Sequence, residues 1–196
     1  MVFKKISDSI DVSQMVAALY YNHEVWEHIK ARQETPGSPH SETKTIFLRW
    51  APDQSVEAAF NQIDAVNYPA YDLLPEAADL VSAFCEATNP TKIGRVIITQ
   101  LKPYGLIDPH VDDGAYPDHY QRFHIPISCG AGSVFYGKKG SGDTESARMK
   151  AGELWWFDNK QTHWVENMCD APRVHMIIDA VVPGMERDYD KIKEID

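Results

Sequence analysis

Cysteine is scarce in this sequence and forms no metal-binding or redox pattern. The 196 residues include three cysteines, Cys85, Cys129 and Cys169, and no CxxC pair. An odd number at such wide spacing predicts neither a disulfide framework nor a thiolate zinc site. These cysteines are typical of a protein kept in a reducing compartment, and we expect the chain to be cytoplasmic.

Long apolar runs and clusters of basic residues are also missing. No stretch approaches the roughly 18 apolar residues that span a membrane, and the opening MVFKKISDSIDVSQ lacks the apolar core of an export signal. The formal net charge is −10, without any Lys/Arg cluster. Nucleic acids and anionic membranes both require a positive surface. We therefore expect no membrane segment and no nucleic-acid partner.

The first part of the chain has the periodicity of helices. Apolar residues recur at helical spacing in three stretches, 11–22, 55–67 and 75–87. A Pro/Gly/Ser loop precedes one short strand candidate, TIFLRW at 45–50, and we assign the HSE triplet from His40 to Glu42 to a surface loop. Residues 1–92 are therefore predicted to form a helical prefix with a flanking strand.

From residue 93 onward the pattern becomes that of short β-strands. The apolar runs, among them RVIITQL, RFHIPI and ELWWFD, are β-branched or aromatic and are separated by turn residues. Such strands behind a helical prefix predict a mainly β fold, a sandwich or jelly roll with the N-terminal helices packed on one outer face. We expect a single domain over 1–196, with the β core at 93–183 and a C-terminal tail at 184–196.

Histidines, aspartates and an arginine crowd the stretch DPHVDDGAYPDHYQRFHIPI at 108–127. His110 and Asp112 are two residues apart, so an extended backbone directs both side chains to one face, where a metal ion could take an imidazole and a carboxylate. His163 opens HWVEN far downstream, after the strand ELWWFD. Two histidines and one carboxylate on one face of an octahedral ion leave three adjacent positions open, as in non-haem Fe(II) oxygenases.

Four further polar residues of the β part suit the binding of a carboxylate. Arg173 opens RVHMIIDAVV, and a planar guanidinium on a strand can bind the far end of a dicarboxylate through two hydrogen bonds. Arg122 and His124 share one face of the strand RFHIPI, and Thr99 could add a hydroxyl. Ordinary roles stay open: a surface ion pair for Arg122, a hydrogen-bonded core position for His124, and strand propensity for Thr99.

Other residues are candidates for the rim of this site or for its support. The segments 113–121 and 138–149 contain residues that break regular structure, and we assign both to the rim. His119 is a substrate contact, an alternative metal ligand or simply an exposed histidine. His175 should face inward from its strand, and Asp179 either tethers a ligand residue or pairs with a surface lysine.

These motifs together resemble a known family. Read in order, PHVDDG, YQRFHIPI, AGELWWFDNKQTHWVEN and PRVHMIIDA resemble the aspartyl/asparaginyl β-hydroxylase-like family of Fe(II)- and 2-oxoglutarate-dependent oxygenases and its bacterial free-proline hydroxylase relatives. The resemblance covers roughly 94–182, and the combination of motifs is specific although no single motif is. The fold it implies is a double-stranded β-helix of the jelly-roll or cupin type.

The resemblance also implies roles for individual residues. His110 and His163 would bind iron, and Arg173 would anchor the distal carboxylate of 2-oxoglutarate. Asp112 separates two branches, because the animal peptide-hydroxylating branch lacks the carboxylate ligand whereas the proline-hydroxylase-like branch has HxD. The further co-substrate contacts would be Arg122, His124 and Thr99.

These roles define an expected activity and its alternatives. We expect a dioxygenase that uses Fe(II), 2-oxoglutarate and O2 to hydroxylate an unactivated C–H bond of a free amino acid or other small molecule, releasing succinate and CO2. The first alternative is hydroxylation of an Asp, Asn or other side chain in a protein or peptide. The second is a cupin-like metal-dependent isomerase or hydrolase, or a non-catalytic metal- or ligand-binding jelly roll, in which Arg173 has no use. The oligomeric state is left open.

Overall fold

The computed structural model describes residues 1–187, so most of the predicted tail at 184–196 lies outside the described residues. The α-helices are α1 (Ser13–Tyr21), α2 (Ala31–Glu34), α3 (Val56–Asn61), α4 (Ala70–Leu73), α5 (Glu76–Thr88) and α6 (Ala115–His119). The strands are β1 (Phe3–Ser7), β2 (Thr43–Trp50), β3 (Val66–Asn67), β4 (Lys92–Leu101), β5 (Leu106–His110), β6 (Gln121–Ser128), β7 (Ser133–Lys138), β8 (Thr144–Ala147), β9 (Leu154–Phe157), β10 (Thr162–Asn167) and β11 (Arg173–Val181). None of these helices is long and apolar enough to cross a membrane.

The strands form two antiparallel sheets that face each other. The larger sheet has the order β1-β9-β6-β11-β4-β2-β3, and the smaller has the order β5-β10-β7-β8. Leu101 and Phe157 of the larger sheet share one buried cluster with Ile107, Phe135 and Val165 of the smaller sheet. This arrangement is a double-stranded β-helix, and it confirms the jelly-roll fold expected from the sequence.

Alternation along the strands places the polar site residues of the larger sheet on its inner face, beside apolar residues such as Phe157, and gives the sheet an apolar outer face. On β11, the side chain of Arg173 lines the space between the sheets, and the ring of His175 contacts the guanidinium of Arg173. The residues between them and after them, Val174 and Met176, belong instead to the cluster under the helices. Because successive side chains of a strand point to opposite faces, one strand serves both the cavity and the main core.

Two helices cover the outer face of the larger sheet. Met15 and Leu19 of α1 and Leu80 and Phe84 of α5 are buried in one cluster with strand residues. The ring of Phe84 meets that of Phe123 on β6 edge-on, with the centroids 5.0 Å apart. Full burial of each such side chain contributes about 1.5–3 kcal/mol. The prediction that the helices pack on one outer face is confirmed.

The helix predicted over 55–67 is wrong in its extent. The helix α3 ends at Asn61, and the next residues lead into β3, which pairs with β2. Val56 and Phe60, part of the apolar pattern behind the prediction, are exposed at 59% and 50%. The segment is held instead by the guanidinium of Arg95, which donates hydrogen bonds to carbonyl groups at the end of α3. Periodicity therefore identified a helix but not what anchors it.

Candidate active site

Two histidines and an aspartate from the smaller sheet converge on one point. His110 of β5 and His163 of β10 are direct partners in the strand register, with their ring centroids 4.2 Å apart. Asp112 follows β5, and its Oδ1 lies 3.8 Å from Nε2 of His110. One ligand atom from each residue lies within 4.8 Å of the others. Ligands on one face of an octahedral ion at about 2.1 Å lie about 3 Å apart, so the three side chains would draw closer together around a bound ion.

Backbone hydrogen bonds hold both imidazoles in the form that binds metal. Nδ1 of His110 lies 2.7 Å from the carbonyl oxygen of Asp108, and Nδ1 of His163 lies 2.9 Å from that of Gln161. Because a carbonyl oxygen only accepts, each Nδ1 carries the proton and each Nε2 keeps its lone pair. Burial lowers the pKa of His110 and lowers the pKa of His163 to about 4. Both rings are therefore neutral at pH 7.

The carboxylate of Asp112 is oriented through its other oxygen. Oδ2 accepts hydrogen bonds from Nη1 of Arg122 at 2.5 Å and from Nδ2 of Asn159 at 3.0 Å. Burial works to raise the pKa of Asp112, but the charge of Arg122, the two neighbouring histidines and the hydrogen bond from Asn159 together outweigh it and hold that pKa well below its usual range. A charged carboxylate with Oδ1 facing His110 completes a donor set that fits a divalent transition metal such as Fe(II).

Arg122 lies between Asp112 and a second buried carboxylate. Its Nε and Nη2 donate to the two oxygens of Asp179 at 2.8 and 3.0 Å, while Nη1 donates to Asp112. Asp179 is buried, so it pairs with Arg122 and not with a surface lysine. The ordinary alternative for Arg122, an ion pair, is present, but the pair is largely buried in the protein and holds the carboxylate of Asp112 in place.

We expect Asp179→Ala to lower the free energy of unfolding by about 3–5 kcal/mol, because removing one partner of a buried ion pair leaves the other charge poorly compensated. Urea denaturation of the metal-free protein measures this loss. Asp143→Ala, in the exposed turn between β7 and β8, is the matched control and should change the free energy by less than about 0.5 kcal/mol. Equal effects of the two substitutions would contradict the structural role of the Arg122–Asp179 pair.

One cavity brings the predicted site residues together. It contains about 390 Å³ of space, part of it open to solvent, and side chains of both sheets line it. Asp112 joins this wall through its contacts with His110 and Arg122. The other predicted residues all line the cavity, and they are Thr99, His110, Arg122, His124, His163 and Arg173.

Arg173 is a buried cation that has no carboxylate partner within residues 1–187, and the acidic side chain that it hydrogen-bonds is the thiol of Cys129. Its side chain is 2% exposed, and it forms no ion pair with a carboxylate within residues 1–187. Nη2 donates to Nδ1 of His175 at 3.0 Å, and the guanidinium lies 5.7 Å from the ring of Phe135. Burial lowers the pKa of Arg173 to about 10, so the group is still charged at pH 7. A buried unpaired charge is unfavourable, and an anionic ligand would compensate it.

Three more buried polar atoms near Arg173 have no hydrogen-bond partner within residues 1–187. These are Oγ1 of Thr99, Nε2 of His124 and Nε2 of His175. His175 connects the group, since it is the register partner of Thr99 and its Nδ1 lies 3.3 Å from Nδ1 of His124. An unsatisfied buried polar group costs about 1–3 kcal/mol. Together with the guanidinium, the hydroxyl of Thr99 can donate to a carboxylate such as those of 2-oxoglutarate. Nε2 of His124 is left as an acceptor, because Nδ1 of His124 donates to Nδ1 of His175.

The two segments assigned to the rim do not line the cavity. Residues 113–121 contain α6, and residues 138–149 contain β8, which pairs with β7. His119 is exposed and packs edge-on against Tyr120, away from the metal ligands. The assignment of these segments to the rim of the site stays a prediction, because turn residues indicate where a chain bends and not what it bends around.

Residues of the helical prefix occupy the wall instead. His40, which we had assigned to a surface loop, packs its ring edge-on against His110 with the centroids 4.9 Å apart. Arg32 of α2 lines the same wall. Asn159, which holds Asp112, was also missed, although its place in the turn before His163 is a usable signal. No local pattern marks Arg32 or His40, because they approach the site only in the folded chain.

Comparison with solved structures shows the fold in other proteins. An oxidoreductase of the 2OG-Fe(II) oxygenase family from Burkholderia pseudomallei aligns with a TM-score of 0.54 and 14% identity over 87% of this chain and 90% of its own. A Pseudomonas putida prolyl-4-hydroxylase gives 0.50 and 12% over 93% of each chain. A Trichoplax adhaerens prolyl hydroxylase, bound to a peptide fragment of hypoxia inducible factor, gives 0.54 and 11% over 92% and 83%. Identities this low carry only the fold.

A family model extends the comparison to the sequence itself. No curated protein matches the chain. The model described as Aspartyl/Asparaginyl beta-hydroxylase matches residues 22–183, which is most of the chain and includes every predicted site residue. The protein is therefore a hydroxylase, and it belongs to the aspartyl/asparaginyl β-hydroxylase family.

Proposed function

We propose that this hydroxylase uses Fe(II), 2-oxoglutarate and O2 to hydroxylate an unactivated C–H bond of a free amino acid or other small molecule, with release of succinate and CO2. The observation that carries the proposal is the meeting of the His110, Asp112 and His163 triad with the unpaired Arg173 in one cavity. Bound iron and co-substrate would supply the oxidising chemistry, and the protein would supply binding and orientation.

The residues around the metal would each have a definite task. Nε2 of His110, Nε2 of His163 and Oδ1 of Asp112 would hold the ion from one side and leave its other side to exchangeable ligands. Asn159 would keep Asp112 in place. Arg122, expected to contact the co-substrate, lies in the cavity wall, but its donors are directed at carboxylates of the protein. Its proposed contribution is therefore to fix the carboxylate ligand.

The residues of the larger sheet would bind and orient the co-substrate. The fork of Arg173 would take the distal carboxylate of 2-oxoglutarate through two hydrogen bonds. Thr99 and His124, with unsatisfied buried atoms, would contact the same molecule. Since Phe135 and Phe157 also line the cavity, water would be excluded around the bound carboxylate and the charge interaction would be strong.

A small substrate is favoured because the HxD motif resembles the proline-hydroxylase-like branch and the chain has a modest length of 196 residues. A peptide or protein side chain is the alternative substrate. The unpaired Arg173 argues against a cupin-like isomerase, which has no dicarboxylate to bind. A cytoplasmic location is part of the proposal, and all three cysteines are free thiols.

The proposal is tested first with the wild-type protein. Anaerobic addition of Fe(II) and 2-oxoglutarate should produce a visible metal-to-ligand charge-transfer band. Admission of O2 with a panel of free amino acids and short peptides should then form succinate, and one member of the panel should stimulate succinate formation and gain one oxygen atom by mass spectrometry. A protein that gives neither the band nor succinate does not have the proposed function.

Asp112→Ala should weaken Fe(II) binding at pH 7 by more than about 100-fold, since changes even to residues that support a metal ligand cost about 10–100-fold. Equilibrium competition with a chelator measures the affinity. Asp113→Ala, at the exposed neighbouring position, is the control and should bind iron like the wild type. Near-normal activity of Asp112→Ala would place the protein with the two-histidine branch in spite of its HxD motif.

A further inference from the structure

We infer that Arg32 binds a carboxylate of the substrate beside the metal centre, so that the substrate is an organic acid. The inference rests on the proposed function, because it assigns the inner part of the cavity to 2-oxoglutarate. It goes further by naming a recognition residue outside the β core and the chemical group that this residue recognises.

The position of Arg32 is unusual for an arginine on a surface helix. The helix α2 has four residues, none of them buried, and arginines on such helices normally extend their charge into water. The side chain of Arg32 instead lines the cavity, and its Nη1 is shielded from solvent without a hydrogen-bond partner. It also forms no ion pair within residues 1–187. Because buried donors are normally hydrogen-bonded, this N–H group is suited to bind an acceptor on a ligand.

The positive charge of Arg32 has no compensating negative charge in the cavity, even when a bound metal ion and 2-oxoglutarate are included. The three guanidinium groups are those of Arg32, Arg122 and Arg173, and the carboxylates of Asp112 and Asp179 both pair with Arg122. A divalent ion and the dianion of 2-oxoglutarate cancel each other. One positive charge is then left over, and a monocarboxylate substrate would neutralise it.

The side chain next to Arg32 suits the same ligand. Nδ1 of His40 is also buried and has no hydrogen-bond partner within residues 1–187, and an imidazole N–H in the same cavity wall as Arg32 can donate to a carboxylate. Because the ring of His40 packs against that of His110, a carboxylate held by Arg32 and His40 lies close to a metal ligand. The carbon atoms attached to that carboxylate are then held near the metal.

The other two arginines are less suited to this task. Arg122 directs its donors at Asp112 and Asp179. Arg173 is 2% exposed, whereas the side chain of Arg32 reaches partly to solvent. An acid that enters after the co-substrate would therefore meet Arg32 first. The distal carboxylate of 2-oxoglutarate and the carboxylate of the substrate would be bound by two different arginines.

The test measures binding without turnover. The full chain is loaded with Zn(II) and saturating 2-oxoglutarate, and binding is measured by calorimetry for the twenty free L-amino acids, for their carboxamides, and for N-acetyl-aspartate and N-acetyl-glutamate N-methylamides, which carry a carboxylate as a peptide side chain does. We expect at least one carboxylate probe to bind, and its uncharged amide to bind about 10-fold more weakly or worse, as the loss of a charge-assisted hydrogen bond predicts. The free-acid and the peptide-like arms distinguish the source of the carboxylate.

Variants of Arg32 test whether this residue causes the preference for the carboxylate over the amide. Arg32→Gln should remove the difference between acid and amide while the affinity for 2-oxoglutarate changes by less than about 2-fold, and Arg32→Lys should keep part of the difference. Arg148→Gln, at an exposed position of the loop after β8, removes the same charge and should behave like the wild type. Thermal denaturation verifies that each variant is folded.

Three results would overturn the inference. They are failure of the wild type to bind any carboxylate probe, equal binding of acids and amides, and an Arg32→Gln variant that still prefers the acid or that loses 2-oxoglutarate as well. If the wild type binds neither Zn(II) nor 2-oxoglutarate, the proposed function itself fails and the inference fails with it. If the wild type binds Zn(II) and 2-oxoglutarate and forms succinate, but Arg32→Gln keeps the preference for the acid, only the role of Arg32 is wrong.

Discussion

Replacing His163 with alanine is expected to abolish Fe(II) binding and 2-oxoglutarate turnover. The substitution removes one of three ligands and opens the metal side of the cavity, so the affinity should fall by more than the roughly 10–100-fold that changes to supporting residues produce. Metal content after dialysis and succinate formation under air measure the two effects. The fold should be kept, because the apolar neighbours of His163, Phe135 and Phe157, pack against each other with ring centroids 4.8 Å apart.

A matched histidine makes this result specific. The side chain of His23 is exposed at 85%, far from the site in sequence, and His23→Ala should bind iron and form succinate like the wild type. Titration of free imidazole into His163→Ala should restore part of the iron binding, since the missing ring leaves room for the added imidazole. Full metal content and activity in His163→Ala would show that His110 and Asp112 work with a different third ligand, and the proposed centre would be wrong.

Replacing Arg173 with leucine should raise the KM for 2-oxoglutarate about 30-fold to several thousand-fold, because truncating one partner of a buried charge pair costs about 2–5 kcal/mol. The affinity for Fe(II) should change little, since Arg173 does not contact a metal ligand in the described hydrogen bonds. Initial rates of succinate formation at graded 2-oxoglutarate concentrations measure the KM, and chelator competition measures the iron affinity.

The conservative variant sharpens the interpretation of that loss. Arg173→Lys keeps the charge but not the planar fork, so it should fall between the wild type and Arg173→Leu. If Arg173→Leu has an unchanged KM for 2-oxoglutarate, the anchor is another residue. If Arg173→Leu loses iron affinity to the same extent as it loses 2-oxoglutarate affinity, the role of Arg173 is to maintain the fold of the site and not to bind the co-substrate.

The two tasks of the site are divided between the two sheets. The smaller sheet carries His110 and His163, and the larger sheet carries Thr99, His124 and Arg173. Since facing sheets lie about 10 Å apart, a metal on one and a guanidinium on the other are separated by roughly the length of a small dicarboxylate. The fold thereby sets the size of the molecule that can connect them.

The strand pattern was predictable because it follows local rules. The alternation of Arg122 and His124 with apolar residues indicated a strand with two different faces, and the structure has both residues in the cavity wall. The helix at 75–87 was predicted nearly at its observed bounds, Glu76–Thr88, since its apolar residues do face the core. The helix at 55–67 was overextended, because Val56 and Phe60 repeat at helical spacing but lie in solvent.

By itself, the sequence determined the fold class and predicted which histidines, aspartate and arginine meet in one cavity, since spacing of two along a strand and the order of motifs are encoded locally. Tertiary structure alone decided what Asp112 and Asp179 pair with, and that Arg32 and His40 of the helical prefix approach the metal ligands. The physical reason is that a periodic pattern specifies which way a side chain points. Which side chain it meets depends on segments far apart in the chain, and only folding brings these together.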